Sequence, residues 1–124
     1  MSSPFDADLD QVDANYQPLT PLTFLRRSAA VFPDKTAIIH GDWRCSYRNF
    51  YARSRQLASA LEQRGIGKGD TVSVMAANIP PLLEAHYGVP MIGAVLNALN
   101  TRLDPAAIAF ILEHANTKIL FTDK

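Results

Sequence analysis

The stretch that most constrains this chain is residues 70–124. Three short runs rich in β-branched residues, at 71–76, 95–99 and 118–122, alternate with two helix-length segments at 80–93 and 105–116. Strands and helical segments in this rhythm predict βαβ units, and these force parallel pairing through right-handed crossovers. Ligands of such sheets collect outside the carboxyl ends of the strands. The last run ends at Thr122, two residues before the final Lys124. A sheet that stops there reads as interrupted, so we expect the front part of a larger protein.

Length allows one domain with a real core: 124 residues, 48% of them hydrophobic. Twelve basic and twelve acidic residues cancel, which gives no reason to expect nucleic acid or an anionic membrane surface as a partner. The single Cys45 reads as a small buried or half-buried apolar residue rather than a catalytic thiol, and it suits a reducing compartment. Residues 1–15 carry Asp6, Asp8, Asp10 and Asp13 and no apolar core. They read as a flexible acidic tail, unlike a secretory signal or presequence. Residues 16–124 form the domain, no run is long enough to span a bilayer, and a cytoplasmic address follows as the default.

Ahead of the sheet the sequence predicts a helix and a hairpin. Thr20 offers an N-cap with Pro21 at the first helical position, and Leu22, Leu25, Ala29 and Phe32 share one face until Pro33. Arg26 and Arg27 lie off that face, on a solvated surface. Residues 36–40 and 43–46 flank Gly41-Asp42, a pair suited to a primed two-residue turn. His40 and Trp43 flank that turn, and packing across it is the role expected of Trp43. Ser46 caps a helix running to about Arg64, with Phe50, Ser54, Leu57, Ala58 and Leu61 as its buried stripe. Gly65 and Ile66 then supply the left-handed stop and its apolar contact.

Gly65-Ile66-Gly67-Lys68-Gly69-Asp70 resembles a phosphate loop only in composition. It runs from helix into strand and so presents carbonyls, where a phosphate loop presents helix N–H groups. We read it as a structural turn. The segment 80–93 is apolar nearly all round, broken only by Glu84 and His86, which predicts a helix covered on more than one side. Pro90 should kink it or interrupt its ladder. His86 reads as a hydrogen-bonded core residue, with no carboxylate or thiol three or four positions away on its own helix to orient it as a base. The loop Asn100-Thr101-Arg102 has better geometry for a ligand, because it follows a parallel strand and precedes a helix capped by Asp104 and Pro105. Arg102 there suits a phosphate or carboxylate; the alternative is an Arg packed over the sheet edge or paired with Asp104. Composition and spacing alone reach an open, incomplete α/β domain, with no metal-ligand cluster, nucleophile–base pair or paired carboxylates.

Three blocks carry a resemblance. TPLTFLRRSAAVFPDKTAIIHGD, YRNFYARSRQLASALEQRGIGKGDTVSVMAANIP and LLEAHYGVPMIGAVLNALNTRLDPAAIAFILEH stand here in the order and spacing that open the adenylate-forming acyl-CoA synthetases, the AMP-dependent synthetase and ligase family. The third block especially resembles the short- and medium-chain acyl-CoA ligases, a subgroup that includes methylmercaptopropionate-CoA ligase. The resemblance covers residues 15–124. It implies a piece of a large N-terminal domain of layered sheets and helices, followed in the family by a small mobile C-terminal domain. It implies a reaction in which a carboxylic acid and ATP, with Mg2+, form an acyl-adenylate and pyrophosphate, after which the acyl group passes to the thiol of CoA.

The family's Ser/Thr/Gly-rich phosphate loop, its Tyr-Gly-x-Thr-Glu motif, its ribose-binding Asp and its C-terminal Lys do not occur in these 124 residues. We therefore expect the chain alone to be inactive and without a bound cofactor, its exposed edges leaving it prone to self-association. The resemblance also implies that Asn100, Thr101 and Arg102 line the CoA site, although related acetyl-CoA synthetases are glycine-rich there. A truncated, non-catalytic interaction module is the alternative function. An autonomous doubly wound binding domain is disfavoured by the apolar 80–93 helix.

Overall fold

A computed structural model of the chain describes residue 10, residues 12–14 and residues 16–123. The tail expected over residues 1–15 lies largely outside the described residues. Nine elements follow in order: α1 (Pro21–Val31), β1 (Thr36–His40), β2 (Trp43–Ser46), α2 (Tyr47–Glu62), β3 (Thr71–Met75), α3 (Pro80–Met91), β4 (Val95–Ala98), α4 (Pro105–His114) and β5 (Thr117–Thr122). Each expected element is present, and its bounds differ by a residue or two at the ends, where helices and strands fray.

The helix ends follow from their caps. Thr20 accepts the Thr23 N–H at 3.4 Å, Ser46 that of Asn49 at 3.3 Å and Asp104 that of Ala107 at 2.9 Å. At the end of α2, Gly65 takes φ +79° and the Ile66 N–H reaches back to the Leu61 carbonyl at 3.1 Å. Ile66 is then buried, as a left-handed stop with its apolar contact requires. In the hairpin, β1 and β2 pair antiparallel with His40 opposite Trp43. Gly41 alone carries positive φ in the turn, at +57°, the pattern of a type II′ connection.

The second sheet has the order β4-β3-β5, all parallel. β3 is central, and Val72, Ser73 and Val74 are buried on both sides. The crossovers β3→β4 and β4→β5 run in opposite directions, so right-handed connections place α3 on one face and α4 on the other. A polar bridge spans the three strands: the Asn97 amide donates to Ser73 Oγ at 3.0 Å, and Ser73 Oγ lies 2.7 Å from Thr117 Oγ1. Ser73 is fully buried. A one-residue slip would strand its hydroxyl, so the bridge specifies register where the flanking valines do not.

Two cores meet at α2 and α3. Leu61, Ile66, Val72, Val74, Ala85 and Val89 fill the one beneath the parallel sheet. Leu25, Ile38, Cys45 and Phe50 fill the one beneath the hairpin, with Tyr87 edge-on to Phe50 at 5.0 Å. Several expectations need correction. Phe32 lies past the end of α1 and is 55% exposed, and Leu25 alone is fully buried on that helix. His86 is exposed rather than in the core, although its ring is hydrogen-bonded, Nδ1 lying 2.8 Å from the Leu82 carbonyl. Trp43 stands opposite His40 across the turn and remains 41% exposed. Pro90 falls in the last turn of α3, so the ladder it interrupts is already ending at Met91.

The helix α3 buries Glu84, Ala85, Gly88 and Val89, while Leu83 stays 40% exposed. The segment expected to be covered on more than one side thus buries a single stripe among the described residues, and Glu84, expected as an interruption, belongs to that stripe. Glu84 is buried because Arg53 of α2 grips it with both ends of its guanidinium, Nε to Oε1 at 2.5 Å and Nη2 to Oε2 at 3.1 Å.

Candidate functional site

The loops after β3 and β4 leave the carboxyl edge of the sheet toward opposite faces, which opens that edge between them. Leu99 anchors the second loop: it is buried, and its N–H extends the ladder to the Val74 carbonyl at 2.9 Å. Asn100, Thr101 and Arg102 follow, all exposed. The Asn100 side-chain oxygen accepts the Arg102 N–H at 3.0 Å, closing a tight turn into Asp104 and α4. The three expected site residues thus sit together at the edge. Among the described residues the Arg102 guanidinium forms no ion pair or hydrogen bond, so the alternative pairing with Asp104 is not made.

The helix N-termini at this edge hold little for an anion. In α4, Pro105 has no N–H, Asp104 takes that of Ala107 and the Asp104 carbonyl takes that of Ile108 at 3.1 Å. In α3, Pro80 and Pro81 both lack N–H groups, and Leu82 and Leu83 bond back to the Ile79 carbonyl. This corrects the expectation that the α4 terminus reinforces an anion site: the Asp104 carboxylate already occupies it. Whatever charge attraction this loop offers comes from Arg102. A triphosphate, which needs a cradle of free N–H groups, finds no such cradle at these termini.

The loop 65–70 lies at the opposite, amino edge. Asp70 turns its carboxylate onto the Gly67 N–H at 2.9 Å, and the Gly69 N–H bonds the Gly93 carbonyl at 3.0 Å. The Gly67 and Gly69 donors are thus already bonded and a carboxylate sits among them, so the loop is a structural turn. Among the described residues there is no group of three His, Cys, Asp or Glu side chains able to hold a metal ion. No helix among them is long and apolar enough to cross a membrane.

Beside the ends of β3 and β5, a cavity of 360 Å³ is lined by Val74, Ala76, Leu82, Phe121 and Thr122 among others. A second, of 580 Å³, lies between the hairpin and α3 and includes His40 and His86. Sequence reasoning weighed those two histidines separately. They belong to different elements, and no local spacing could have joined them.

Among the described residues, titration is perturbed at one cluster. Burial pushes the Cys45 thiol up from its usual 9.0; the Glu84 carboxylate adds to this and Arg53 opposes it. The bond to Glu84 holds the Arg53 proton more tightly than usual. Cys45 is therefore a protonated, buried thiol, which excludes it as a nucleophile at neutral pH.

Comparison with known proteins bears on what this edge serves. Residues 25–124 match the family described as AMP-binding enzyme. The peroxisomal acetate/butyrate–CoA ligase AAE7 of Arabidopsis thaliana is 49% identical over 117 residues, covering 94% of this chain and 21% of the relative. The peroxisomal benzoate–CoA ligase of the same plant is 51% identical, covering 94% and 20%. Among solved structures, Mycobacterium tuberculosis fatty acyl CoA synthetase superposes with TM-score 0.77 at 31% identity, covering 81% of this chain and 20% of that one. The o-succinylbenzoate CoA synthetase of Bacillus subtilis, in complex with ATP and magnesium, gives 0.77 at 27%, covering 82% and 28%. The chain spans about a fifth of the length of the relatives it matches. Its α/β layout and parallel sheet match the N-terminal part of the adenylate-forming fold. The chain belongs to the AMP-binding enzyme family.

Proposed function

We propose that residues 16–124 are the N-terminal part of an AMP-forming acid–CoA ligase, which joins a carboxylic acid to ATP as an acyl-adenylate and then passes the acyl group to CoA. The similarity to two CoA ligases over 94% of the chain carries this reading. In that enzyme Asn100, Thr101 and Arg102 face CoA. Arg102 meets a phosphate of the nucleotide end, Asn100 holds the turn that presents it, and Thr101 lies between them. The support is an exposed guanidinium without a partner among the described residues, at the carboxyl edge of a parallel sheet.

ATP and Mg2+ belong to segments beyond these residues, so titration calorimetry of the chain alone with MgATP should give no saturable heat; micromolar binding would contradict this. The chain alone is catalytically silent. We keep the cytoplasm as its address, although the two ligases named above are peroxisomal. Fractionation of cells expressing the tagged protein decides between the two.

The test of the Arg102 role separates the half-reactions in a complete ligase carrying these residues. Arg102→Ala should remove one charge-assisted hydrogen bond, about 1.5–3 kcal/mol, and raise the KM for CoA roughly ten- to a hundred-fold. Pyrophosphate exchange without CoA should barely change. Loss of both together would make Arg102 a structural residue, and loss of neither a surface one.

A further inference from the structure

A groove of 340 Å³ lies between β2 and α2, with Trp43, Arg44 and Cys45 on one side and Asn49, Arg53 and Gln56 on the other. Trp43 and Cys45 share one face of β2 by strand alternation and Arg44 belongs to the other, and no residue of β1 takes part, so the groove follows the outer edge of β2. The spacing of 49, 53 and 56 sets three polar side chains along one side of α2. The chain as a whole is neutral, yet residues 43–61 hold four arginines, at 44, 48, 53 and 55, and no Asp or Glu.

Two of these arginines meet at the groove with hydrogen-bonding capacity to spare. Arg44 is held over the hairpin turn, its Nη1 donating to the carbonyls of Gly41 at 2.5 Å and Trp43 at 3.0 Å, while its Nε and Nη2 have no partner among the described residues. Arg53 gives Nε and Nη2 to Glu84, which is buried and does not line the groove, and its Nη1 has no partner among the described residues. Glu84 offsets the charge of Arg53 and Asp34 that of Arg48, whereas Arg44 and Arg55 form no ion pair among the described residues. No acidic side chain of the described residues lines the groove.

The edge also offers backbone. His40 and Trp43 close the two-residue turn as a hydrogen-bonded pair, so the next pair, Ile39 and Arg44, turn their N–H and C=O groups outward. Neither backbone group of Arg44 is bonded among the described residues. A free strand edge is what an extended peptide pairs with, and Trp and Arg are the side chains that dominate binding energy at protein interfaces. An oligonucleotide would leave that backbone donor and acceptor unused.

We propose that this groove binds an extended acidic segment of a partner protein, which lies along β2 and sets carboxylates on Arg44 and Arg53 and an apolar side chain on Trp43. The surface is separate from the loop 100–102 and does not rest on the CoA reading.

Trp43 is the one tryptophan of the chain, so its fluorescence reports on the groove directly. The probe is a capped hexapeptide of glutamate and valine, titrated into the full chain at about 20 mM salt. The expected result is a saturable change in Trp43 emission with a Kd of about 10–300 µM, weakened about three- to tenfold at about 150 mM salt. The same peptide with glutamine for glutamate should bind the parent chain at least about tenfold more weakly. Arg44→Gln should weaken the acidic peptide about five- to tenfold, while Arg26→Gln on α1 should bind as the parent does. Both arginines are exposed, so the variants should stay folded. No saturable response, equal affinity for the neutral peptide or an equal loss at Arg26 would overturn the proposal. So would a short oligothymidylate that binds as tightly as the acidic peptide. Trp43 emission that changes on dilution of the chain alone would overturn it too, because a second copy would then occupy the groove.

Discussion

Gly88 of α3 faces α2 at a distance that leaves no room for a methyl group. A Cβ built there would stand 2.8 Å from the Ser54 carbonyl oxygen, 2.9 Å from Leu57 Cδ2 and 3.0 Å from Leu57 Cβ. Helix propensity alone favours Gly88→Ala by about 1 kcal/mol. Against this stands an overlap that cannot be relieved by rotating a side chain, because the nearest atom is backbone of α2. The two helices must move apart, and they carry Leu61, Ala85 and Val89 of the main core with them. Overpacking of this kind costs about 1–3 kcal/mol, so the sign is destabilising, and the propensity gain shown by an unobstructed site is lost. With a urea slope of about 1–2 kcal/mol/M for a domain of this size, the midpoint should fall by about 0.5–3 M. Gly67→Ala is the internal control, since its added Cβ meets nothing within 4 Å and its φ is not positive. It should be neutral or stabilising by up to about 1 kcal/mol. If Gly88→Ala shifts the midpoint upward alongside Gly67→Ala, the helices do not approach as described and the reasoning fails.

Arg53→Met removes the partner of a carboxylate whose side chain is only 8% exposed, while Arg53 itself is 49% exposed. Discounting the buried-pair figure for that exposure leaves about 1–3 kcal/mol, read by urea unfolding; a loss no larger than that of surface Arg26→Met would refute the pair's role. Burial raises the Cys45 pKa in the folded state, so its contribution is complete below the unfolded value and lost as pH climbs through the folded one. The melting temperature should therefore drop more steeply above about pH 9 in the parent than in Cys45→Ala, and parallel curves would contradict this. β4 and β5 are edge strands in the described sheet, with Phe110 66% and Leu120 40% exposed nearby. The chain should consequently self-associate on size-exclusion chromatography, and a clean monomer at high concentration would refute that reading.

Much of the fold was legible because local signals agreed with the tertiary answer. Thr20, Ser46 and Asp104 each cap the helix that follows them, and Gly41 and Gly65 each supply the left-handed backbone their turns need. What stayed hidden was decided by partners distant in sequence. Glu84 reads as a polar break in an apolar helix until Arg53, on another helix, neutralises it. Ser73 reads as a weak point in a strand until Asn97 and Thr117 meet it from both sides. Phe32 fits the face of α1 by periodicity, but it lies one residue past the helix. The site divided the same way. The position of Asn100, Thr101 and Arg102 follows from the strand–loop–helix order, whereas the consumption of the α4 terminus by Asp104 required the geometry.

The central claim is that this chain supplies the N-terminal part of an acid–CoA ligase and does no chemistry without the rest. The most direct measurement grafts residues 16–124 in place of the matching segment of the Arabidopsis acetate/butyrate–CoA ligase and assays AMP release that depends on butyrate and CoA. The account predicts that the chimaera is active and that the isolated chain gives no AMP above background. A soluble, folded chimaera with no activity, or AMP release by the isolated chain, would contradict it.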